Sequence, residues 1–396
     1  MVLEPLKKSL FLKNARMGEC YDSFVELDGL SGIRLFNDGG SGLAYEESSG
    51  MLTGTPLASG DFCLIFRGVL HGKSAEITAQ LAVIPDPRSL WVNHPSPRDA
   101  PFWKPEEDFQ QLSGELLCVA ASKRGRSHAR EGSFRDDDFG LLASSSSGWY
   151  IAAVADGAGS APYARRGSKL AVDTVLSKLP PLLEQQLTPR LESLVQAHRQ
   201  GHPDAGQEIR RLLYTSLVTT AFEAAKAIET EAAIHQEKPS AFSTTLIVCV
   251  MRRLARGWFS AGFSIGDGGA AIFDLQDGSL AILTAPDSGE FAGQTRFLQR
   301  AEFGGGFEDL SRRLFFDIRE QFTALAVMTD GISDPKFPTE VAFADPARWI
   351  SFWKDDLSAS VRFARDNPEL KQQFLDWLDF WSIGNHDDRT LALLMP

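Results

Sequence analysis

Aspartates stand beside apolar, strand-like runs at five places in the sequence. Two places share one pattern: residues 149–155 run into Asp156 and residues 323–329 run into Asp330, each aspartate being followed by glycine. A strand that is apolar on both faces is buried, so a carboxylate at its tip lies beside the core and needs a cation or several donors. The remaining acidic residues in such positions are Asp136, Asp137, Asp138, Asp267, Asp387 and Asp388.

These side chains predict a site for hard divalent cations. No cluster of His or Cys accompanies them, which disfavours zinc and favours Mg²⁺ or Mn²⁺. Carboxylates that share a pocket repel one another unless cations neutralise them. Two ions roughly 3.5–4 Å apart can bridge a water and turn it into hydroxide at neutral pH, a nucleophile suited to in-line attack on a phosphate ester. Any single Asp-Gly pair could instead be an ordinary tight turn, so the argument depends on the five places together.

The composition of the chain argues against several classes of protein. The chain has 396 residues, of which 43% are hydrophobic and 23% charged, which is typical of folded domains. The chain has 52 acidic and 40 basic residues and lacks a local basic patch, so we do not expect a nucleic acid as a partner. No apolar run approaches the roughly 20 residues that span a bilayer, and neither a signal peptide nor a C-x-x-C pair is found. We therefore expect a cytoplasmic protein without a membrane partner.

Differences in amino-acid pattern divide the chain into three predicted regions. Residues 1–88 alternate short apolar runs with Gly and Ser turns, which predicts a small all-β sandwich. Residues 89–112 hold four prolines and predict an extended linker. Residues 113–396 alternate strands with helices and predict an α+β catalytic domain. Because the acidic motifs lie in this last region, we expect a protein that begins near Phe109 to fold and to hydrolyse a small aryl phosphate.

The apolar spacing also predicts the elements that must position the aspartates. Helical periods cover residues 206–234 and a second segment from Ala164 to the prolines at 180 and 181. Apolar runs predict three strands, and Asp-Gly pairs predict two hairpin turns. The predicted strands are 246–251, 258–263 and 270–275, and the predicted turns begin at Asp267 and Asp277.

The order of the motifs resembles the metal-dependent serine/threonine protein phosphatases of type 2C, the PPM family, in their bacterial form. The resemblance runs over residues 116–396 and implies an α-β-β-α sandwich, in which helices flank two antiparallel sheets with the metals at one end. The matching motifs are A-S-K-R-G-R-S-H at 121–128, V-A-D-G-A-G at 154–159, S-T-T-L at 243–246, G-D-G at 266–268, T-D-G-I-S-D at 329–334 and D-D-R-T at 387–390.

The resemblance implies a role for each acidic site. Asp156 would bridge two Mn²⁺ or Mg²⁺ ions, and Asp137 rather than Asp136 aligns with the family's first aspartate. The other implied ligands are Asp330 and Asp387 on one ion, Asp137 and the Gly157 carbonyl on the other, and Asp267 on a third ion at most.

The sequence departs from the family at the groups that handle the phosphate. Many eukaryotic members have a His directly after the D-G pair, where this chain has Ala158, and relatives have a phosphate-binding Arg where this chain has His128. We therefore predict that His128 is a catalytic acid or a phosphate ligand, with a purely structural histidine as the alternative. Arg165 and Arg166 are predicted to bind the substrate, with a solvated pair as the alternative.

The resulting functional prediction is hydrolysis of phosphoserine and phosphothreonine in proteins. Its expected partner is a phosphorylated protein, a serine/threonine kinase or its target, as in bacterial signalling. The alternatives are a pseudophosphatase that serves as a binding or regulatory module, and a phosphatase that acts on small molecules. Residues 42–62 resemble an immunoglobulin-like repeat of bacterial multidomain proteins, which implies an immunoglobulin-like sandwich without a fixed ligand.

Overall fold

The computed structural model describes most of the chain, namely residues 6–27, 29–86, 91–284 and 295–396. The domain predicted over 1–88 and the linker predicted over 89–112 lie partly outside the described residues, which exclude 1–5, 28 and 87–90. The chain divides into two compact units, Met1–Val92 and Asn93–Pro396. Within the described residues, no helix is both long and apolar enough to cross a membrane.

The described residues of the first unit form eight strands in two sheets. One sheet has the order β1-β8-β7-β4 with β2 beside β8, and the other has the order β3-β6-β5. Every second residue of β8 is buried, so its alternate side chains form one wall of a core that includes Leu52, Leu64 and Phe66. The strands are β1 Leu6–Phe11, β2 Ala15–Arg16, β3 Tyr21–Phe24, β4 Leu30–Asn37, β5 Leu43–Glu46, β6 Met51–Gly54, β7 Gly60–Leu70 and β8 Lys73–Ile84.

The second unit contains two antiparallel sheets. Their strand orders are β16-β15-β18-β19-β10-β9 and β11-β12-β13-β14-β17. The strands are β9 Glu107–Ser113, β10 Leu117–Lys123, β11 Asp138–Ala143, β12 Trp149–Ala155, β13 Leu246–Arg253, β14 Trp258–Ile265, β15 Gly269–Phe273, β16 Leu280–Ile282, β17 Leu314–Arg319, β18 Ala324–Met328 and β19 Arg389–Met395.

Helices pack against these sheets. Short π-helical turns interrupt or extend three of them, at Leu183–Leu187, Tyr214–Val218 and Phe352–Leu357. The α-helices are α1 Arg126–Glu131, α2 Ala164–Leu182, α3 Thr188–Arg199, α4 Pro203–Leu213, α5 Thr219–Ile234, α6 Gly306–Ser311, α7 Asp330–Lys336, α8 Glu340–Phe343, α9 Pro346–Ser351, α10 Ser358–Ser360 and α11 Leu370–Trp377.

Three apolar clusters hold the second unit together. One cluster contains side chains from both sheets, such as Val154 of β12 and Leu325 of β18. The other face of the five-stranded sheet, including Val248, packs on α2 to α5, and the other face of the six-stranded sheet, including Leu393, packs on Trp349 and its aromatic neighbours. Each large side chain buried in this way contributes about 1.5–3 kcal/mol, so the strand ends that carry the aspartates are rigidly placed.

The structure confirms the three predicted strands and the two predicted helical segments, with differences at their ends. Helix α2 begins at Ala164 as predicted but continues through Pro180 and Pro181 to Leu182, where a π-helical turn follows it. The predicted hairpin at Asp277 is confirmed, because β15 and β16 pair there. The predicted hairpin at Asp267 is wrong, since β14 and β15 belong to different sheets.

The segment predicted as a linker differs from an extended connection. The boundary between the two units lies inside it, and its last residues form β9, which pairs with β10. Within it, the Trp103 indole donates to Ser96 Oγ at 3.1 Å and the Ser96 amide donates to Glu106 Oε1 at 3.0 Å. Pro101 lies in a turn of the segment, and the Glu106 carboxylate lies 3.1 Å from Arg124 Nη2, which holds the segment against the residues that follow β10.

These contacts determine at which residue a shortened protein can begin and still fold. A protein that begins at Asn93 is expected to fold, whereas one that begins at Phe109 lacks Lys104 and leaves the buried Asp138 carboxylate without its partner at 2.9 Å. Loss of one partner of a buried ion pair costs about 3–5 kcal/mol. Urea unfolding of both shortened proteins measures the difference, and equal free energies of unfolding would contradict this account of the segment.

Candidate active site

Three aspartates from both sheets converge at one place. Asp156 follows β12, Asp330 is the first residue of α7 after β18, and Asp267 lies where the chain crosses from β14 to β15. Carboxylate oxygens of these three residues lie within 4.8 Å of one another. We call Asp156, Asp267 and Asp330 the acidic cluster.

The backbone of Asp156 is fixed by two threonines that precede β13. The Asp156 amide donates to Thr245 Oγ1 at 2.9 Å, and the Asp156 carbonyl accepts from Thr244 Oγ1 and from the Thr245 amide, each at 2.8 Å. The next residue must be small, because a Cβ atom at Gly157 would lie 2.6 Å from the Asp136 carbonyl. The S-T-T-L and D-G motifs thus act together to hold the Asp156 carboxylate in place.

The carboxylates of the acidic cluster repel one another. Burial, followed by the charge of Asp330, raises the pKa of Asp156 well above its ordinary value. Burial also raises the pKa of Asp330 to about 7, with the charges of Asp387 and Asp267 contributing in the same direction. Among the described residues, none of the ion pairs joins a Lys or Arg to this cluster. The carboxylates of the cluster therefore concentrate negative charge at this place.

Two buried oxygens of the acidic cluster show that it fits a cation. Asp267 Oδ1 and Asp330 Oδ1 are shielded from solvent and have no hydrogen-bond partner among the described residues. The other oxygen of Asp267 accepts a hydrogen bond from Thr295 Oγ1 at 2.5 Å. Buried carboxylate oxygens without donors are unfavourable unless an ion binds them, and an all-oxygen donor set suits Mg²⁺ or Mn²⁺.

Asp137, which was predicted as a metal ligand, lies beside this cluster. Its side chain is 1% exposed, and its Oδ2 accepts hydrogen bonds from Thr329 Oγ1 at 2.8 Å and Thr390 Oγ1 at 2.6 Å. Its charge adds to the repulsion that raises the pKa of Asp156. Asp136 points elsewhere, since its Oδ1 accepts from the Arg165 amide at 3.1 Å in the first turn of α2.

Asp387, also predicted as a ligand, belongs to a second group with His128 and Asp388. His128 Nε2 lies 3.7 Å from Asp387 Oδ1, and His128 Nδ1 lies 3.2 Å from Asp388 Oδ1. Burial by itself lowers the pKa of His128, but the charges of Asp388 and Asp387 outweigh it and raise that pKa to about 10. The raised pKa favours the imidazolium form of His128, and Asp387, which faces this imidazole, also acts electrostatically on Asp330 of the acidic cluster.

The sequence argument named Asp388 only among the acidic residues beside strands and gave it no individual role, although it joins three segments of the site. Its carboxylate accepts from the Gly125 amide at 2.6 Å and from the Asp136 amide at 2.5 Å, in addition to facing His128. These contacts lower the pKa of Asp388 although burial raises it. The only signal in the sequence was the doubled aspartate before β19, which does not show which of the two is buried.

The structure places the two predicted substrate arginines against acceptors of the protein. The Arg165 guanidinium donates to the Pro101 carbonyl at 2.6 Å and to the Pro162 carbonyl at 2.8 Å. Arg166 Nε lies 2.6 Å from Glu231 Oε1. Binding of substrate by these arginines stays a prediction, and in this geometry both side chains already have partners.

The charged pair of His128 and Asp388 predicts a pH-dependent stability in chelator-treated protein. A pKa raised to about 10 means that the contribution of His128 is complete below about pH 6.5 and is lost as the pH rises toward 10. His128→Gln should therefore reduce the free energy of unfolding by about 3 kcal/mol at pH 6 and by clearly less at pH 10. Urea unfolding of both proteins at the two pH values measures this, and an equal loss at both would contradict the ion pair.

Comparison with known proteins agrees with the motif order. Residues 124–379 match the family model for protein phosphatase 2C, and no curated protein matches the chain. Among solved structures, a serine-threonine phosphatase 2C from Toxoplasma gondii is 13% identical, with 74% of this chain and 99% of that chain covered and a TM-score of 0.46. The phosphatase Stp1 from Staphylococcus aureus is 14% identical, with 76% and 99% covered and a TM-score of 0.36. RsbX in complex with magnesium is 15% identical, with 73% and 99% covered and a TM-score of 0.36.

These structural similarities are too low to support an argument about function. The family model, by contrast, spans more than half of the 396 residues and includes the acidic residues from Asp136 to Asp330. The chain therefore belongs to the protein phosphatase 2C family and is a protein serine/threonine phosphatase.

Proposed function

We propose that residues 113–396 hydrolyse phosphoserine and phosphothreonine in proteins at a two-metal aspartate site that uses Mn²⁺ or Mg²⁺. The observation that carries the proposal is the acidic cluster, in which Asp267 Oδ1 and Asp330 Oδ1 are buried without hydrogen-bond donors among the described residues. Repulsion between these carboxylates is relieved when divalent cations bind them. The family of the chain supports the same reaction.

The proposed ligands are the members of the acidic cluster, with Asp137, Asp387 and the Gly157 carbonyl beside them. Bound divalent ions would act as Lewis acids that activate water and stabilise charge on the phosphate. The protein's own residues orient the ligands: Thr244 and Thr245 hold Asp156 through its backbone. The sequence implied that Asp267 would bind a third ion at most. Because its carboxylate groups with those of Asp156 and Asp330, we propose it as a ligand of the same site.

His128 is the proposed contact for the phosphate or for its leaving oxygen. Its Nε2 lies 3.7 Å from Asp387 Oδ1, and its side chain is 13% exposed. A cation there can attract a phosphate dianion, and its proton can pass to the leaving oxygen. The competing role is structural, since the same imidazole pairs with Asp388.

The proposed architecture has two domains, one for each compact unit of the chain. We propose that the sheets and helices of the second unit form the α-β-β-α sandwich of the family, and that the eight strands of the first unit form an immunoglobulin-like domain. The proposed partner is a phosphorylated protein, a serine/threonine kinase or its target in bacterial signalling. The cytoplasmic location stays a prediction.

Metal dependence is the first test of this function. Phosphopeptide hydrolysis is expected with Mn²⁺ or Mg²⁺, and chelator should abolish it. Asp156→Asn and Asp330→Asn should each reduce kcat/KM at least about 100-fold, because each removes a ligand from a site made of carboxylates. Asp173→Asn, on the exposed side of α2, is the control and should retain full activity.

The results of these assays distinguish the proposed protein phosphatase from a pseudophosphatase and from a phosphatase of small molecules. Turnover that resists chelator would contradict the metal site. Absence of turnover with phosphopeptides and aryl phosphates alike, in protein that binds Mn²⁺, would favour the pseudophosphatase. Turnover of small phosphate esters but of no phosphopeptide would favour a small-molecule substrate.

A series of leaving groups tests the role of His128. His128→Ala should lower kcat/KM at least about tenfold, which corresponds to ~1.4 kcal/mol. Loss of an acid should affect alkyl phosphates far more than aryl phosphates, whereas loss of a phosphate contact should raise KM for both classes. Values within about twofold of the parent protein for both classes would show that the histidine is structural.

A further inference from the structure

Residues 93–106, which we call the strap, lie outside the part of the chain that matches the family model. They contact the loop that leads to Asp137 at several points. The His94 amide donates to the Ala129 carbonyl at 2.8 Å, Arg124 Nη2 donates to the His94 carbonyl at 2.8 Å, and Arg135 Nε donates to the Pro105 carbonyl at 3.1 Å. The strap therefore contacts this part of the chain at both of its ends, from His94 to Pro105.

Lys104 is the buried centre of these contacts. Its residue is 9% exposed, and its Nζ donates to the Asp137 carbonyl at 2.5 Å and to Asp138 Oδ2 at 2.9 Å. Burial lowers the pKa of Lys104, whereas the charge of Asp138 acts in the opposite direction. Ser168 Oγ lies 3.4 Å from the same ammonium and donates to the Asp136 carbonyl at 2.5 Å.

The Lys104 contact fixes Asp137 from its backbone side. The side chain of Asp137 is held by Thr329 and Thr390, and its carbonyl is held by Lys104 together with Arg135 Nη1 at 2.8 Å. A buried ion pair gives little net stability relative to well-packed apolar residues, because both charges lose their hydration. What an ammonium provides and an apolar side chain does not is a directed hydrogen bond to a particular carbonyl.

We propose that Lys104 is a positioning residue for the metal site. The strap then contributes to the active site although it precedes the residues that match the family model. This inference rests on the proposed metal function. It explains why a lysine is buried here: the ammonium sets the position of the Asp137 backbone, and Asp137 contributes its charge beside Asp156. Loss of the ammonium should weaken binding of Mn²⁺ even when the fold is intact.

Three variants of the full chain separate positioning from stability. Lys104→Met leaves Asp138 buried and unpaired, so both the melting temperature and the affinity for Mn²⁺ should fall. Asp138→Asn keeps the contact between Lys104 and the Asp137 carbonyl, so it should lower the melting temperature and leave the affinity within about twofold. The double variant Lys104→Met/Asp138→Asn has no unpaired charge, so it should regain stability while Mn²⁺ binding stays about tenfold weaker.

The measurements are thermal unfolding in chelator and titration of Mn²⁺ followed by electron paramagnetic resonance, neither of which depends on turnover. A matched control is the double variant Arg319→Met/Asp317→Asn, which removes an ion pair of 2.5 Å on β17 and should leave Mn²⁺ binding unchanged. Recovery of both stability and affinity in the Lys104 double variant would overturn the positioning role.

The test also distinguishes this inference from the proposed function. If the parent protein binds no Mn²⁺, the metal site itself is wrong and Lys104 has no metal to position. If the parent protein binds Mn²⁺ and the double variant binds it equally well, only the role of Lys104 fails.

Discussion

Mutual repulsion among half-buried carboxylates is the constraint on which the rest of this structure depends. Asp156, Asp267 and Asp330 place ligand oxygens within 4.8 Å of one another, with Asp137 and Asp387 close enough to raise the pKa values of their neighbours. Such an arrangement is unfavourable without cations, and burial together with the neighbouring carboxylates raises the pKa of Asp330 to about 7. The packed sheets fix the strand ends, and Thr244 and Thr245 fix the backbone of Asp156, which keeps the carboxylates close together.

The supporting contacts are of two kinds. Around Asp156 and Asp137, threonine hydroxyls from the starts and ends of other strands fix the carboxylates or their backbone. Beyond them, buried charged groups such as Asp388 and Lys104 bind backbone amides and carbonyls of the same loop. These groups determine where the loop lies, and the apolar clusters on both faces of each sheet supply the stability that offsets their burial.

Sequence reasoning identified the acidic strand ends because a carboxylate next to an apolar strand is a local pattern. It failed at Asp267, where an Asp-Gly pair looks like a hairpin but connects two different sheets, because strand pairing is decided by distant residues. It gave Asp388 no individual role beyond that of one acidic residue beside a strand. It also interpreted the region of Lys104 as a linker, since prolines indicate a break in regular structure and say nothing about what a nearby side chain contacts. The partners that bury these two residues lie up to 263 positions away in the chain.

Anomalous diffraction from crystals grown with Mn²⁺ tests the central claim most directly. The account predicts manganese peaks at the acidic cluster, with carboxylate oxygens of Asp156 and Asp330 about 2.1 Å from an ion. Crystals of Asp156→Asn grown under the same conditions should lose or weaken these peaks. Absence of manganese at Asp156, Asp267 and Asp330 in the parent protein, under conditions in which it hydrolyses a phosphopeptide, would contradict the account.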